Sequence, residues 1–162
     1  MDDELREIAR LEAVGELSAA HARAIALAQA HPHDVRAQLA AAYACDRNDR
    51  EHDAIRFYDA AWKLGVPTAE QPGFLLGYGS TLRNVGRTDE SISILTDAVR
   101  RFPDRAEFSA FLALALHSAG RSTSAVATLL KSALQAARPD GFGPYRRALA
   151  EYQQLLADEA AH

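Results

Sequence analysis

The sequence repeats itself, and the period of the repeat restricts the fold more than any other feature. Tyr78-Gly-Ser-Thr-Leu-Arg-Asn-Val-Gly-Arg87 and Leu112-Ala-Leu-Ala-Leu-His-Ser-Ala-Gly-Arg121 align at a shift of 34 residues. One pair of antiparallel helices fills that period, and such a pair has to stack on its neighbours to bury its apolar face. At the same shift Phe74 meets Phe108, Gly79 meets Ala113, Leu82 meets Leu116, Ser91 meets Ala125, Leu95 meets Leu129 and Ala98 meets Ser132. Small residues recur where two helices must approach closely, and large apolar residues recur where a core must be filled.

The register extends towards the N-terminus. Gly86-Arg87 becomes Asp49-Arg50, with Ala54, Tyr58 and Ala61 in the packing positions and three extra residues placed in the loop around Gly65 to Gln71. One more step gives Gly15-Glu16, Ala20, Ala24, Leu27 and Pro32. The chain therefore reads as a single all-α domain over residues 1–162, with repeats near 1–34, 35–71, 72–105 and 106–139 and a capping helix over 144–158. Gly15, Gly86 and Gly120 fall between the two helices of a pair, where a left-handed residue ends the first; Asp49 takes that place in the second repeat. Pro32, Pro67, Pro103 and Pro139 fall where the second helices have to stop. No segment alternates apolar and polar residues as a half-buried strand would. In the last helix Tyr145, Leu149, Tyr152 and Leu156 share one stripe, which predicts a buried face that covers the end of the stack.

The formal charge of −4 gives no general attraction to nucleic acid or to an anionic membrane. Phe111 to Leu116 is the longest dense apolar run and is far too short to span a bilayer. Cys45 is the only cysteine, which excludes an intrachain disulfide, and the acidic start Met-Asp-Asp-Glu is unlike a secretion signal. A cytoplasmic location is the expectation. The positive charge is nearly all arginine, which suggests a GC-rich bacterial source.

Gly79 to Arg87, then Phe102-Pro103, then Phe111-Leu-Ala-Leu-Ala-Leu-His117 resemble the bacterial tetratricopeptide repeat group 5 domain. The resemblance covers roughly residues 20 to 156. It implies a right-handed superhelical solenoid of antiparallel helix pairs with a concave groove, no enzymatic activity and no cofactor. The first helix of each pair would line that groove. Its inward face would carry Arg36, Leu39, Tyr43, Asp46 and Arg47 in the second repeat, Leu76, Ser80, Arg83 and Asn84 in the third, and Glu107, Ala110, Leu114, His117 and Ser118 in the fourth. Arginines suit carboxylates, Asn84 suits backbone amides and Tyr43 suits apolar contact, so Arg36, Tyr43, Asp46, Arg47, Arg83, Asn84 and His117 are the candidate residues for holding a peptide. The same face is equally consistent with the solvated side of stacked helices. Asp46, Arg83 and His117 are equivalent by register, which predicts an Asp46–Arg83 strut. Some relatives grip a C-terminal carboxylate with Lys and Asn; those positions hold Leu39, Tyr43, Leu76 and Ser80, so that clamp is absent.

His31-Pro32-His33, with His21 upstream, lacks the remaining ligands of a recognisable metal site. Cys45 falls at a core position, where an inert thiol is expected, and Tyr58 and Trp62 face the packing side. No phosphate loop, nucleophile elbow or metal motif occurs in the sequence. The leading function is a scaffold for another protein or peptide, with no nucleic acid, membrane or metal. The alternatives are a self-associating regulatory or assembly module and an enzyme built on His117.

Overall fold

The computed structural model describes residues 1–161. These form nine α-helices and one 3-10 turn, with no strand among the described residues. The helices are α1 (Asp2–Ala13), α2 (Leu17–Ala30), α3 (Val35–Asp46), α4 (Glu51–Leu64), α5 (Gln71–Asn84), α6 (Thr88–Arg101), α7 (Ala106–Ser118), α8 (Ser122–Ala136) and α9 (Arg146–Ala160). Eight of them are the four predicted pairs and the ninth is the predicted terminal helix. Two compact units result, Met1–Thr81 and Leu82–His162, with the boundary inside α5.

In the first unit each helix packs on the next, α1 on α2, α2 on α3 and α3 on α4. Asp34 starts α3 by accepting the Arg36 backbone N–H at 2.9 Å. Asp49 ends the turn after α3 with φ 54°, the conformation that Gly15 adopts at φ 80° in the preceding pair. Ala24, Ala37, Ala41 and Ala42 are fully buried, and their small side chains let the helix axes approach. Gln38 donates to the Ala28 carbonyl at 3.1 Å, which satisfies an open acceptor at the end of α2.

The aromatic centre of this unit is Tyr58 on α4, buried among Tyr43, Phe74 and Tyr78. Close approach there depends on Gly77. A methyl group at that position would meet the Tyr58 hydroxyl oxygen and come within 3.1 Å of its Cζ. The repeat pattern singles out Gly79, which is also buried, but does not reveal the demand at Gly77. Trp62 departs from expectation. It is 44% exposed and lies parallel to Phe74 at 5.9 Å, because the Phe74 ring occupies the interior and leaves the indole as its outer cover.

In the second unit α6 packs on α7, α7 on α8 and α8 on α9. Leu95, Ala98, Phe108 and Ala115 are fully buried, and Phe102 stacks on Phe108 at 5.7 Å. Ser132 donates its hydroxyl to the Ala106 carbonyl at 3.1 Å, so a buried polar group stands at a small-residue position without cost. Ala113 and Ala125 are buried as their register predicts.

The terminal helix differs from its predicted form. Tyr145 lies in the 3-10 turn Gly143–Tyr145, so α9 begins at Arg146. Tyr145 is 71% exposed and Tyr152 62%, whereas Leu149, Gln153, Leu156, Ala157 and Ala160 are partly buried. Arg146 explains the rotation. Its guanidinium donates to the carbonyls of Leu134 at 2.6 Å and Arg138 at 3.3 Å, at the end of α8. Holding Arg146 inward turns Leu149 and Gln153 towards α8 and the tyrosines away from it.

Candidate functional site

Arg36, Ala40 and Tyr43 on α3 and Arg47 just after it are exposed or half-buried and share a single helical face; Val35 and Asp46 are also half-buried, and Leu39 is buried. Leu39 therefore belongs to the core rather than to the predicted face, because it lies on the side of α3 that carries Cys45 and Ala42. Both arginines are engaged. Arg36 pairs with Asp2 at 2.8 Å and with Asp34 at 3.4 Å, and Arg47 pairs with Glu12 at 2.7 Å. These pairs join α3 to α1. Asp2 and Arg36 lie one repeat period apart, so the register places their side chains as neighbours. Opposite charges at equivalent positions of adjacent repeats were the signal in the sequence for the Asp2–Arg36 pair; Glu12 and Arg47 are one residue off that register.

Tyr43 meets the edge of Tyr58 with ring centres 6.0 Å apart, and burial pushes its phenol up to about 12. Asp46 accepts the Tyr58 hydroxyl at 2.5 Å and the Thr81 hydroxyl at 3.1 Å. Those two hydroxyls occupy both carboxylate oxygens. Burial raises the Asp46 carboxyl above its ordinary value, even though both hydrogen bonds act in the other direction. Cys45 is buried with its Sγ 3.6 Å from His21 Nε2, and burial pushes the thiol up to about 11. A thiol held protonated in this way is a core group rather than a nucleophile.

In the second unit Arg83 and Asn84 end α5 and His117 lies in the last turn of α7. Asn84 and His117 are exposed, and Arg83 is partly buried. The Arg83 Nε is fully shielded from solvent and has no hydrogen-bond partner among the described residues. A cleft of about 580 Å³ in the same unit lies against other residues, Arg100, Leu112, Ala127, Lys131, Gln135 and Gln153 among them. No carboxylate, histidine or thiol among the described residues lines it, so those residues offer no acid–base pair for catalysis. No group of three or more His, Cys, Asp or Glu among the described residues is placed to hold a metal ion, and no helix there is long and apolar enough to cross a membrane.

The family model for the Tetratrico peptide repeat matches residues 35–156. The chain belongs to the tetratricopeptide-repeat family. The match begins at α3 and ends within α9, so it takes in three of the four helix pairs and most of the terminal helix. A solved structure described as "Crystal structure of YrrB: a TPR protein with an unusual peptide-binding site" aligns over 94% of this chain and 90% of its own, at 15% identity and a TM-score of 0.40. No curated protein matches the sequence. Membership in the tetratricopeptide-repeat family supports a protein- or peptide-interaction scaffold as the general role.

Proposed function

We propose that the four repeats act as one cytoplasmic domain that holds a segment of another protein against its first-helix faces and catalyses no reaction. One observation carries the reading. Arg83, a candidate contact by register, keeps a buried Nε–H without an acceptor. An unmet buried donor costs about 1–3 kcal/mol, and a turn of the partly buried Arg83 side chain on binding would let a carboxylate or backbone carbonyl of a peptide supply the missing acceptor. Asn84 beside it and His117 on α7 add exposed polar groups within the same unit. On α3 the arginines already have acidic partners, so their contribution there is to brace α1, with donors left over for a ligand.

The test starts with capture of the partner by the intact chain, followed by titration of that partner. Arg83→Ala should weaken binding by about 1–3 kcal/mol, and Arg83→Lys should not restore it, because an ammonium lacks the planar fork. Unchanged affinity in a folded Arg83→Ala, Asn84→Ala double variant would remove this face as the binding site. Self-association is the competing reading, and the exposed Tyr145 just before α9 and Tyr152 and Leu155 on it favour it. Sedimentation of the intact chain across a concentration series distinguishes the two.

A further inference from the structure

The outward face of α8 is built like a covered surface but has no cover. Ala24, Tyr58, Leu95 and Leu129 hold the same repeat position on α2, α4, α6 and α8. The first three are fully buried, and Leu129 is 51% exposed. In the three buried cases the following helix packs on that one: α3 on α2, Phe74 and Tyr78 of α5 on Tyr58, and α7 on α6. Val126 is 53% exposed, and Ala133 and Ala136 continue the same face of α8. The packing of α9 on α8 leaves this stripe open.

The register also describes what would fit. Each covering helix offers buried residues at i, i+4 and i+7: Ala37, Ala41 and Ala44 on α3, Phe74, Tyr78 and Thr81 on α5, and Phe108, Leu112 and Ala115 on α7. At the corresponding places α1 carries Asp3, Glu7 and Arg10, all paired within their own helix or with its neighbour in sequence. The α1 helix of a second copy would therefore bring charges where the stripe needs apolar side chains. The charge flanking the face is one-sided. No Asp or Glu occurs from residue 108 to residue 139. Arg121 before α8 and Arg138 after it have no ion-pair partner among the described residues, whereas Arg36, Arg47, Arg87 and Arg105 in the other repeats are paired.

We infer that the Val126–Leu129–Ala133 face of α8 seats an amphipathic helix of a partner protein, with large apolar residues at i, i+4 and i+7 and acidic residues beside them. This site is separate from the first-helix faces, so Arg83→Ala should leave it unaffected. The experiment uses the full chain and a fluorescein-labelled synthetic helix that carries Phe, Leu and Ala in the α7 spacing and Glu elsewhere. A second probe has Lys in place of Glu. Saturable binding of the acidic probe is expected, weakened about tenfold or more by Leu129→Glu and by Lys in place of Glu. Arg121→Glu combined with Arg138→Glu should weaken it as well. Amide shifts in labelled protein should centre on α8, which provides a readout even where Leu129→Glu alters folding, and Val126→Lys serves as the second variant. Equal binding of both probes, no binding of either, or shifts away from α8 would overturn the inference. A dimer of the chain that Leu129→Glu abolishes would overturn it in favour of a second copy.

Discussion

Leu95 and Leu129 hold the same place in successive repeats, yet one lies under a helix and the other is half in solvent. The two junctions are alike up to that point. Ser91 and Ala125 are both buried, as are Ala98 and Ser132, so α6 and α8 carry equivalent small buried residues. The difference lies on the next face round. At α6 that face receives α7, and at α8 it receives no helix among the described residues, because Arg146 draws α9 onto the end carbonyls of α8 instead. A repeat position therefore specifies which surface a helix prepares, while the following segment decides whether that surface is used.

The largest effect expected from this contrast is on stability. Leu95→Ala should cost about 2–5 kcal/mol through lost burial and the cavity left behind. Leu129→Ala should cost under about 1 kcal/mol, because half of its surface is already wet. Urea denaturation of the two variants measures the difference. Equal costs would mean that the α8 face is covered in solution.

Next in size is a test that the contrast is confined to that one face. Ala125 is on the side of α8 that the register assigns to α7 and is buried. Ala125→Leu should destabilise by about 1–3 kcal/mol through overpacking. A neutral result would show that the whole of α8 is loosely held rather than open on one side.

The cause assigned to the open face is also testable, at a smaller scale. Arg146→Ala removes two hydrogen bonds to carbonyls at the end of α8 and should cost about 1–2 kcal/mol. It should also loosen α9, which would appear as faster amide exchange in residues 146–160 than in α8. Exchange that rises equally in both helices would argue against Arg146 as the anchor.

The repeat was legible because its packing positions, Ala54, Gly79, Ala113 and Ala125, are set by close contact between helices, which the residue size records directly. The left-handed turn at Asp49 was legible for a similar local reason. The orientation of α9 was not. The predicted stripe lies at the edge of the buried face: Leu149 and Leu156 are partly buried, Tyr152 is exposed and Tyr145 precedes the helix, and hydrogen bonding by one arginine sets that rotation. The candidate site was legible by position but not by state. The period places Arg36, Arg47 and Arg83 on first helices, whereas the partners of the first two come from α1 and the empty Nε of the third is visible only in three dimensions.

Tyr58, the counterpart of Leu95 and Leu129 in the second repeat, sharpens the comparison by chemistry rather than by exposure. It is buried like Leu95, but it carries a hydroxyl that must find an acceptor, and Asp46 supplies it at 2.5 Å. The arrangement places a carboxyl where burial raises its pKa above the ordinary value near ~3.9. The sign follows from linkage. A carboxyl raised in the folded state favours folding most below its unfolded pKa, and that contribution is lost as pH rises through the raised folded value. Asp46→Asn keeps an acceptor for Tyr58 and carries no charge, so it lacks this dependence. The urea midpoint of the Asn variant, relative to the parent, should therefore climb as pH rises from about 4 to about 7. The climb should be small, because the Tyr58 and Thr81 hydrogen bonds offset part of the burial cost. A relative midpoint that falls over the same range would mean that the two hydroxyls stabilise the carboxylate by more than burial destabilises it.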